Sequence, residues 1–234
     1  CGLHGVVRTK LLARRGGNGR KVGSMATPSN RIATALLDAG AVLLRPQRPF
    51  TWASGIQSPI YCDNRLLLSD PKRRRLVVTV FVSAIRRGRL AADVIAGTAT
   101  AGIPWASLIA GRLNKPLVYV RSAPKGHGRG NQIEGKLPRG ARVLVIEDLI
   151  STGGSSLHVV DALRKAGGRV TACLAIFSYG FASAAAAFAR ARVPLVPLCT
   201  LPELLEVAVA RRKLTPAQYD RVYAFALETG RSDC

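Results

Sequence analysis

Acidic residues are scarce in this chain of 234 residues, with 13 set against 35 lysines and arginines and a formal net charge of +22. Such a surplus invites a nucleic-acid reading. Two further scarcities weigh against it. Lysine is far rarer than arginine while alanine is abundant, a pattern that GC-rich coding alone produces. Lys72-Arg73-Arg74-Arg75 is the only dense basic cluster, and no aromatic residues interleave with it to stack on bases. Nucleic acid is therefore not expected as a partner. Nor is a membrane, because no apolar run approaches the ~18 residues needed to span a bilayer. The alanine-rich stretch from Ala182 to Ala189 is short and interrupted by Arg190 and Arg192.

Cysteine is sparse and scattered. The five positions (Cys1, Cys62, Cys173, Cys199, Cys234) show no metal-ligand spacing. Structural disulfides are not expected, and a reducing compartment is the default. Methionine is almost missing: the chain starts with Cys1, and its only methionine is Met25. Residues 1–24 hold six basic residues and no acidic one. They are expected to be disordered, or translated sequence upstream of a start at Met25. The alternative is part of a targeting peptide, although transit peptides are usually amphipathic and serine-rich. Without this segment the net charge is still +16. The expected location is cytoplasmic, or a plastid or other organelle if residues 1–24 belong to a transit peptide. No internal repeat is visible, and 234 residues suit one α/β domain with a sizeable core, here residues 25–234.

The most informative stretch runs from Arg142 to Ser156, RVLVIEDLISTGGSS. Val143-Leu144-Val145-Ile146 is a short buried-strand signal. Two adjacent carboxylates, Glu147 and Asp148, close it. A turn of hydroxyl and glycine residues, Ser151 to Ser156, then opens a helical segment. A strand running through such a turn into a helix N-terminus is an anion site, with outward N–H groups and the positive end of the helix dipole behind them. Carboxylates repel phosphate, so Glu147 and Asp148 should face sugar hydroxyls or a metal ion. The plainer reading is a helix cap and an ordinary turn. The segment is not a Walker loop, since no lysine follows the glycines, and it lacks the spacing of a dinucleotide fingerprint.

Alternating units surround this stretch. Ser29 or Asn30 is expected to cap a helix through Leu44, and Arg48 to Arg65 reads as short strands and turns. Asp70-Pro71 starts a long amphipathic helix to about Arg89. Strands are expected at Asp93–Ala96, Leu117–Val120, Val143–Ile146, Val170–Phe177 and Pro194–Leu198. Helices are expected at Ile103–Leu113, Ser156–Ala166, Phe181–Arg190, near Pro202–Ala210 and at Pro216–Glu228. Strands separated by helices imply βαβ units and a parallel sheet covered on both faces.

Two loops stand out. Arg121 to Arg139 is unusually long for a compact α/β domain. It carries Arg121, Lys125, His127 and Arg129 among several glycines, which suits a lid over a polyanion; a solvated surface loop is the alternative. The other, Gly97-Thr98-Ala99-Thr100-Ala101-Gly102, follows a parallel strand, at the edge where open α/β sheets bind ligands.

Taken together, these segments resemble the orotate phosphoribosyltransferases, within the type I phosphoribosyltransferases. The matching motifs are FTWASGIQSPIYCDNR (Phe50 to Arg65), AGTATAGIP (Ala96 to Pro104), YVRSAPKGHGRGNQIEG (Tyr119 to Gly135) and VLVIEDLISTGGSS (Val143 to Ser156). The likeness extends over about residues 30–230. It implies the type I phosphoribosyltransferase fold, a central, mostly parallel sheet flanked by helices, with a small N-terminal hood from about residues 25–65. The implied activity is a pentosyl transfer from phosphoribosyl diphosphate (PRPP) to orotate, releasing pyrophosphate and forming orotidine 5′-monophosphate on the pyrimidine route.

The resemblance also implies residue roles. Glu147 and Asp148 would meet the ribose hydroxyls, within a substrate-binding run that includes Leu149 and Ile150. Ser151, Thr152, Gly153, Gly154 and Ser155 would surround the 5′-phosphate, with Ser151 also near orotate, and Thr100 would belong to the substrate site. Arg121, Lys125 and His127 would reach the pyrophosphate from the neighbouring subunit, which implies a homodimer with shared active sites. These three and Asp148 are the implied catalytic groups. Tyr61 is the candidate for stacking on the orotate ring, with a place in the core as its alternative. Mg²⁺ is the implied cofactor, held by PRPP and water and not directly by protein ligands. An orotidine monophosphate decarboxylase is a further implied partner, fused or separate.

Such chemistry needs positioning, Mg²⁺ and cations at the leaving group, not a covalent nucleophile. No Ser-His-Asp or Cys-His arrangement stands out. The chain departs from other members at three places: lysines are replaced by Ala53 and Ser122, and a Tyr-Lys pair by Thr100-Ala101. Competing readings are a type I transferase for a purine or uracil, and a PRPP-sensing regulator that binds nucleic acid. The regulator should carry an added DNA-binding domain, and residues 1–24 are too short and glycine-rich for one.

Overall fold

The computed structural model of the chain describes residues 27–51, 55, 57–123 and 132–230. Residues 1–24, Met25, Ala53, Lys125, His127 and Arg129 lie outside the described residues.

The chain opens with helix α1 (Pro28–Asp38) and continues through four short strands, β1 (Val42–Leu44), β2 (Phe50–Thr51), β3 (Gln57–Ser58) and β4 (Ile60–Cys62). A 3₁₀ turn (Asn64–Leu68) leads into α2 (Pro71–Arg87). Then come β5 (Val94–Thr98), α3 (Gly102–Leu113), β6 (Leu117–Val120), β7 (Ile133–Glu134), β8 (Arg142–Ile150), α4 (Gly154–Lys165) and β9 (Arg169–Ser178). The chain finishes with α5 (Ala182–Arg190), β10 (Leu195–Thr200), α6 (Leu201–Ala210) and α7 (Pro216–Thr229).

Six strands form the main sheet in the order β10-β9-β8-β5-β6-β7. All neighbours are parallel except β6 and β7. The apolar runs sit at its centre: every residue of β5, and Val143 to Ile146 of β8, are buried. Both faces of these strands are covered, so their apolar residues run continuously and do not alternate. From β5 the chain steps one way to β6; from β8 it steps the other way to β9 and β10. Right-handed crossovers in opposite directions put α3 on one face and α4 and α5 on the other. The order reverses between β5 and β8, which makes their carboxyl ends the switch point where such sheets hold ligands.

The first expected helix needs correction. Thr27, not Ser29 or Asn30, caps α1, its hydroxyl accepting from the Asn30 N–H at 3.2 Å. The helix stops at Asp38 and does not reach Leu44. Gly40, at φ +65°, takes the left-handed turn, with Ala41 N–H donating to the Leu36 carbonyl at 3.0 Å. The following Val42–Leu44 pairs antiparallel with Ile60–Cys62. An apolar run that reads as a helix extension is thus a strand, because its partner lies in a distant segment.

β8 is also longer than its apolar run. It pairs with β9 from Arg142 to Ile150, with one register shift between Val143 and Leu144, whereas β5 leaves it at Ile146. Glu147 and Asp148 therefore stand on a strand that projects past its neighbour, not at its end.

Candidate active site

The glycines shape the switch point. Gly102 begins α3 hard against β8, and a Cβ there would collide with the Ile146 carbonyl oxygen. Gly153 has φ +84°, and a Cβ would lie 2.7 Å from the Phe188 ring of α5. Only glycine supplies both the left-handed backbone and the clearance. α4 follows it with no side-chain cap, which leaves its first N–H groups to an anion.

A cavity of about 340 Å³ opens over these ends. Its walls come from three places: Cys62, Asp63 and Arg65 after β4; Thr98 to Ala101 after β5; and Glu147 to Leu149 with Ser155 around β8 and α4. An adjoining space of about 200 Å³ shares Thr98, Ala99 and Ser155 and extends to Ser122 and His158. A larger, mostly apolar cavity of about 600 Å³ between α5 and β10 has, among the described residues, no carboxylate and Arg192 as its one cation.

Glu147 is 5 % exposed. One carboxylate oxygen accepts from Ser156 Oγ and the other from the Asp148 N–H, both at 3.0 Å. Burial, and then the neighbouring Asp148 charge, push its pKa up to about 8. Burial raises Asp148 as well. Two desolvated carboxyls side by side are costly to ionise together, and ligand hydroxyls donating to them relieve that cost. A further polar atom waits in the same wall. Thr98 Oγ1, on a residue 3 % exposed, has no hydrogen-bond partner among the described residues. An unpaired buried hydroxyl lining a cavity is fitted to a ligand atom.

The other expected site residues are distributed around this centre. Leu149, Ser155 and Thr100 line the cavity. Ile150 turns its side chain into the core, at 1 % exposure. Ser151 is half-buried, Thr152 and Gly154 are exposed, and Gly153 is buried under the turn. Arg121 stands at the edge of β6, 3.6 Å from Glu134. Its backbone is clasped to Gln132 by two 2.9 Å bonds, Arg121 N–H to the Gln132 carbonyl and Gln132 Nε2 to the Arg121 carbonyl. Gln132 Nε2 also lies 2.6 Å from His158 Nε2 on α4. Lys125 and His127 lie outside the described residues. Tyr61 is 42 % exposed and packs against Phe50 at 5.8 Å, so it is not a core residue. It is also not part of the cavity wall.

Sequence reasoning put Thr98 in a loop at the ligand-binding edge and Cys62 to Arg65 in a matching motif, but gave Cys62, Asp63, Asn64, Arg65 and Thr98 no roles of their own. Asp63 binds Arg65 through two side-chain bonds of 2.7 and 2.9 Å, which hold its carboxyl below the usual range. The signal was the run of polar residues Asp63-Asn64-Arg65 directly after an alternating strand. Among the described residues no group of three His, Cys, Asp or Glu side chains is gathered as a metal cage.

The comparisons agree with this geometry. The phosphoribosyl transferase domain family matches residues 67–185. An orotate phosphoribosyltransferase of Bacillus pumilus is 52% identical over 192 residues, which is 82% of this chain and 91% of that one. Its namesake in Cutibacterium acnes is 50% identical over 81% of this chain and 88% of its own. The crystal structure of orotate phosphoribosyltransferase from Aeropyrum pernix superposes with a TM-score of 0.67 at 36% identity, covering 75% of this chain and 96% of that one. Leishmania donovani UMP synthase superposes at 0.72 with 32% identity, covering 85% of this chain but only 42% of the longer protein. With a glycine cradle, paired carboxylates and a switch-point cavity on one phosphoribosyl transferase frame, the chain belongs to the orotate phosphoribosyltransferase family.

Proposed function

We propose that PRPP and orotate meet in the cavity between the ends of β5 and β8. The reaction is that of the family: orotate displaces pyrophosphate from PRPP and gives orotidine 5′-monophosphate. The carrying observation is the joining, in one cavity, of a buried and a half-buried carboxyl, an unpaired threonine hydroxyl and an uncapped helix N-terminus. A 5′-phosphate suits the Ser151 to Ser155 turn, where backbone N–H groups and the helix dipole face it. The ribose hydroxyls then fall to Glu147 and Asp148, donating to carboxylate oxygens that are otherwise expensive to keep charged.

Displacement at the anomeric carbon develops positive charge on the sugar and negative charge on the leaving pyrophosphate. Asp148 stabilises the first by charge and position. Thr98 and the backbone of Ala99 to Ala101 offer polar contacts to the second. With Asp63 held by Arg65 and Glu147 tied to Ser156 and the Asp148 N–H, Asp148 is the freest cavity carboxylate, a poor all-protein cage; a Mg²⁺ ion here would be held mostly by phosphate and water. A Mg²⁺ ion bound there would supply charge neutralisation to the leaving pyrophosphate. Arg121, Lys125 and His127 complete the pyrophosphate end from a second copy of the chain, in a homodimer, and an orotidine monophosphate decarboxylase takes the product. The segment before α2 forms the hood over the base, with Tyr61 at its outer edge.

The test measures consumption of orotate, adenine, hypoxanthine and uracil in parallel with PRPP, with and without Mg²⁺. Turnover of orotate alone, dependent on Mg²⁺, is expected. Turnover of another base without orotate would sink the substrate assignment.

A further inference from the structure

Past the end of β5, none of the described strands pairs with β8 on that side. The pairing between them ends with Gly97 opposite Ile146, yet β8 continues against β9 to Ile150. The Asp148 carbonyl lies in this projecting stretch. Its donor arrives from 84 residues away: Asn64 Nδ2, at 2.7 Å. Asn64 opens the 3₁₀ turn after β4 and is 0 % exposed. Its oxygen is engaged too, accepting from Cys62 Sγ at 3.2 Å. The two ends of an amide differ little in shape, so its neighbours decide which way it faces. A thiol donor on one side and a carbonyl on the other leave one orientation that satisfies all three groups.

We propose that Asn64 is a positioning residue for Asp148, with Cys62 setting the orientation of its amide. Asn64 supplies the bond that a neighbouring strand would have made, and fixes the peptide plane from which the Asp148 carboxylate enters the cavity. Because Cys62, Asp63 and Arg65 line the same cavity, the bond also ties the wall expected over the base to the wall expected over the sugar. Without it the part-buried carbonyl loses this donor and the peptide is freer to turn. Displacements of a fraction of an ångström at a reacting centre are enough to reduce binding and rate. The proposal rests on the reading that Asp148 meets the ribose of PRPP.

The experiment uses the full chain at saturating orotate, with PRPP varied, and compares Asn64→Leu, Cys62→Ala, Cys62→Ser, Asp148→Asn and the double variant Asn64→Leu/Asp148→Asn. Asn64→Leu is expected to raise KM for PRPP about tenfold, the worth of a buried hydrogen bond, with a smaller change in kcat. Cys62→Ala moves KM the same way by less, and Cys62→Ser, which keeps a donor, restores it. The double variant loses no more than Asp148→Asn alone, since Asn64 acts through that carboxylate; independent structural damage would add. Additive loss overturns the proposal, as does an unchanged KM in Asn64→Leu when Asp148→Asn raises it. An unchanged KM in Asp148→Asn overturns the ribose reading itself. Should Asn64→Leu fail to fold, the cysteine pair decides: equal KM values in Cys62→Ala and Cys62→Ser refute the positioning role.

Discussion

Glu147 is a cavity carboxyl held far from its ordinary state. An unfolded glutamate ionises near 4.5, whereas burial holds the folded one at about 8. Between those values the folded chain keeps a proton that the unfolded chain has released, so stability falls as pH rises through the window. Glutamine cannot ionise. Glu147→Gln should therefore melt a few degrees above wild type at pH 8.5, with the difference shrinking towards pH 5. Thermal unfolding across that range checks it, and a pH-independent difference would mean that the carboxyl is charged throughout. Gly153 gives a second residue-scale prediction. Its φ of +84° and the Phe188 ring 2.7 Å from a Cβ leave no room for alanine, whereas nothing lies within 4 Å of a Cβ on Gly154. Gly153→Ala should lower the melting temperature by several degrees and weaken PRPP binding, while Gly154→Ala should melt within about a degree of wild type.

Among the elements, α2 shows how local chemistry is separable from the site. Asp70 caps it, accepting from the Lys72 and Arg73 N–H groups at 2.8 and 3.1 Å, and also pairs with the Arg73 side chain. Asp70→Ala should cost a few degrees of melting temperature and leave kcat and KM unchanged, because α2 lines no part of the active cavity. This Asp-Pro start was legible in the sequence, as were β6 from end to end and the alternation that makes the sheet. Those features rest on neighbours in the chain: caps, period and apolar runs. The sequence misled where the deciding partner was remote. Val42–Leu44 reads as helix until Ile60–Cys62 pairs with it. β8 reads as ending at Ile146 because Glu147 and Asp148 interrupt its apolar run, although its pairing with β9 continues to Ile150. β7 has two residues, too few to carry a period. At the site, the glycine turn and the paired carboxylates were legible because a phosphate cradle is a local motif. The wall formed by Cys62 to Arg65 was not, since only the fold brings it to β8.

At the scale of the whole molecule the net charge of +22 needs no nucleic acid to give it a use, since the substrate is itself a polyanion drawn by a positive field. Assembly is the sharper question at this scale. If the pyrophosphate cations come from a neighbouring subunit, each site is built from two chains, and two different defects can be sorted by mixing. A Lys125→Ala chain retains Asp148, and an Asp148→Asn chain retains Lys125. In a mixed dimer one of the two sites then receives both wild-type residues, and the other receives both defects. Random exchange makes about half the dimers mixed, so equal amounts of two inactive proteins should recover about a quarter of wild-type activity. Sites contained within single chains would recover none. The assay is turnover of orotate after subunit exchange, read beside the same proteins kept apart; absence of recovery despite demonstrated exchange would place Lys125 in the same subunit as the Asp148 it serves.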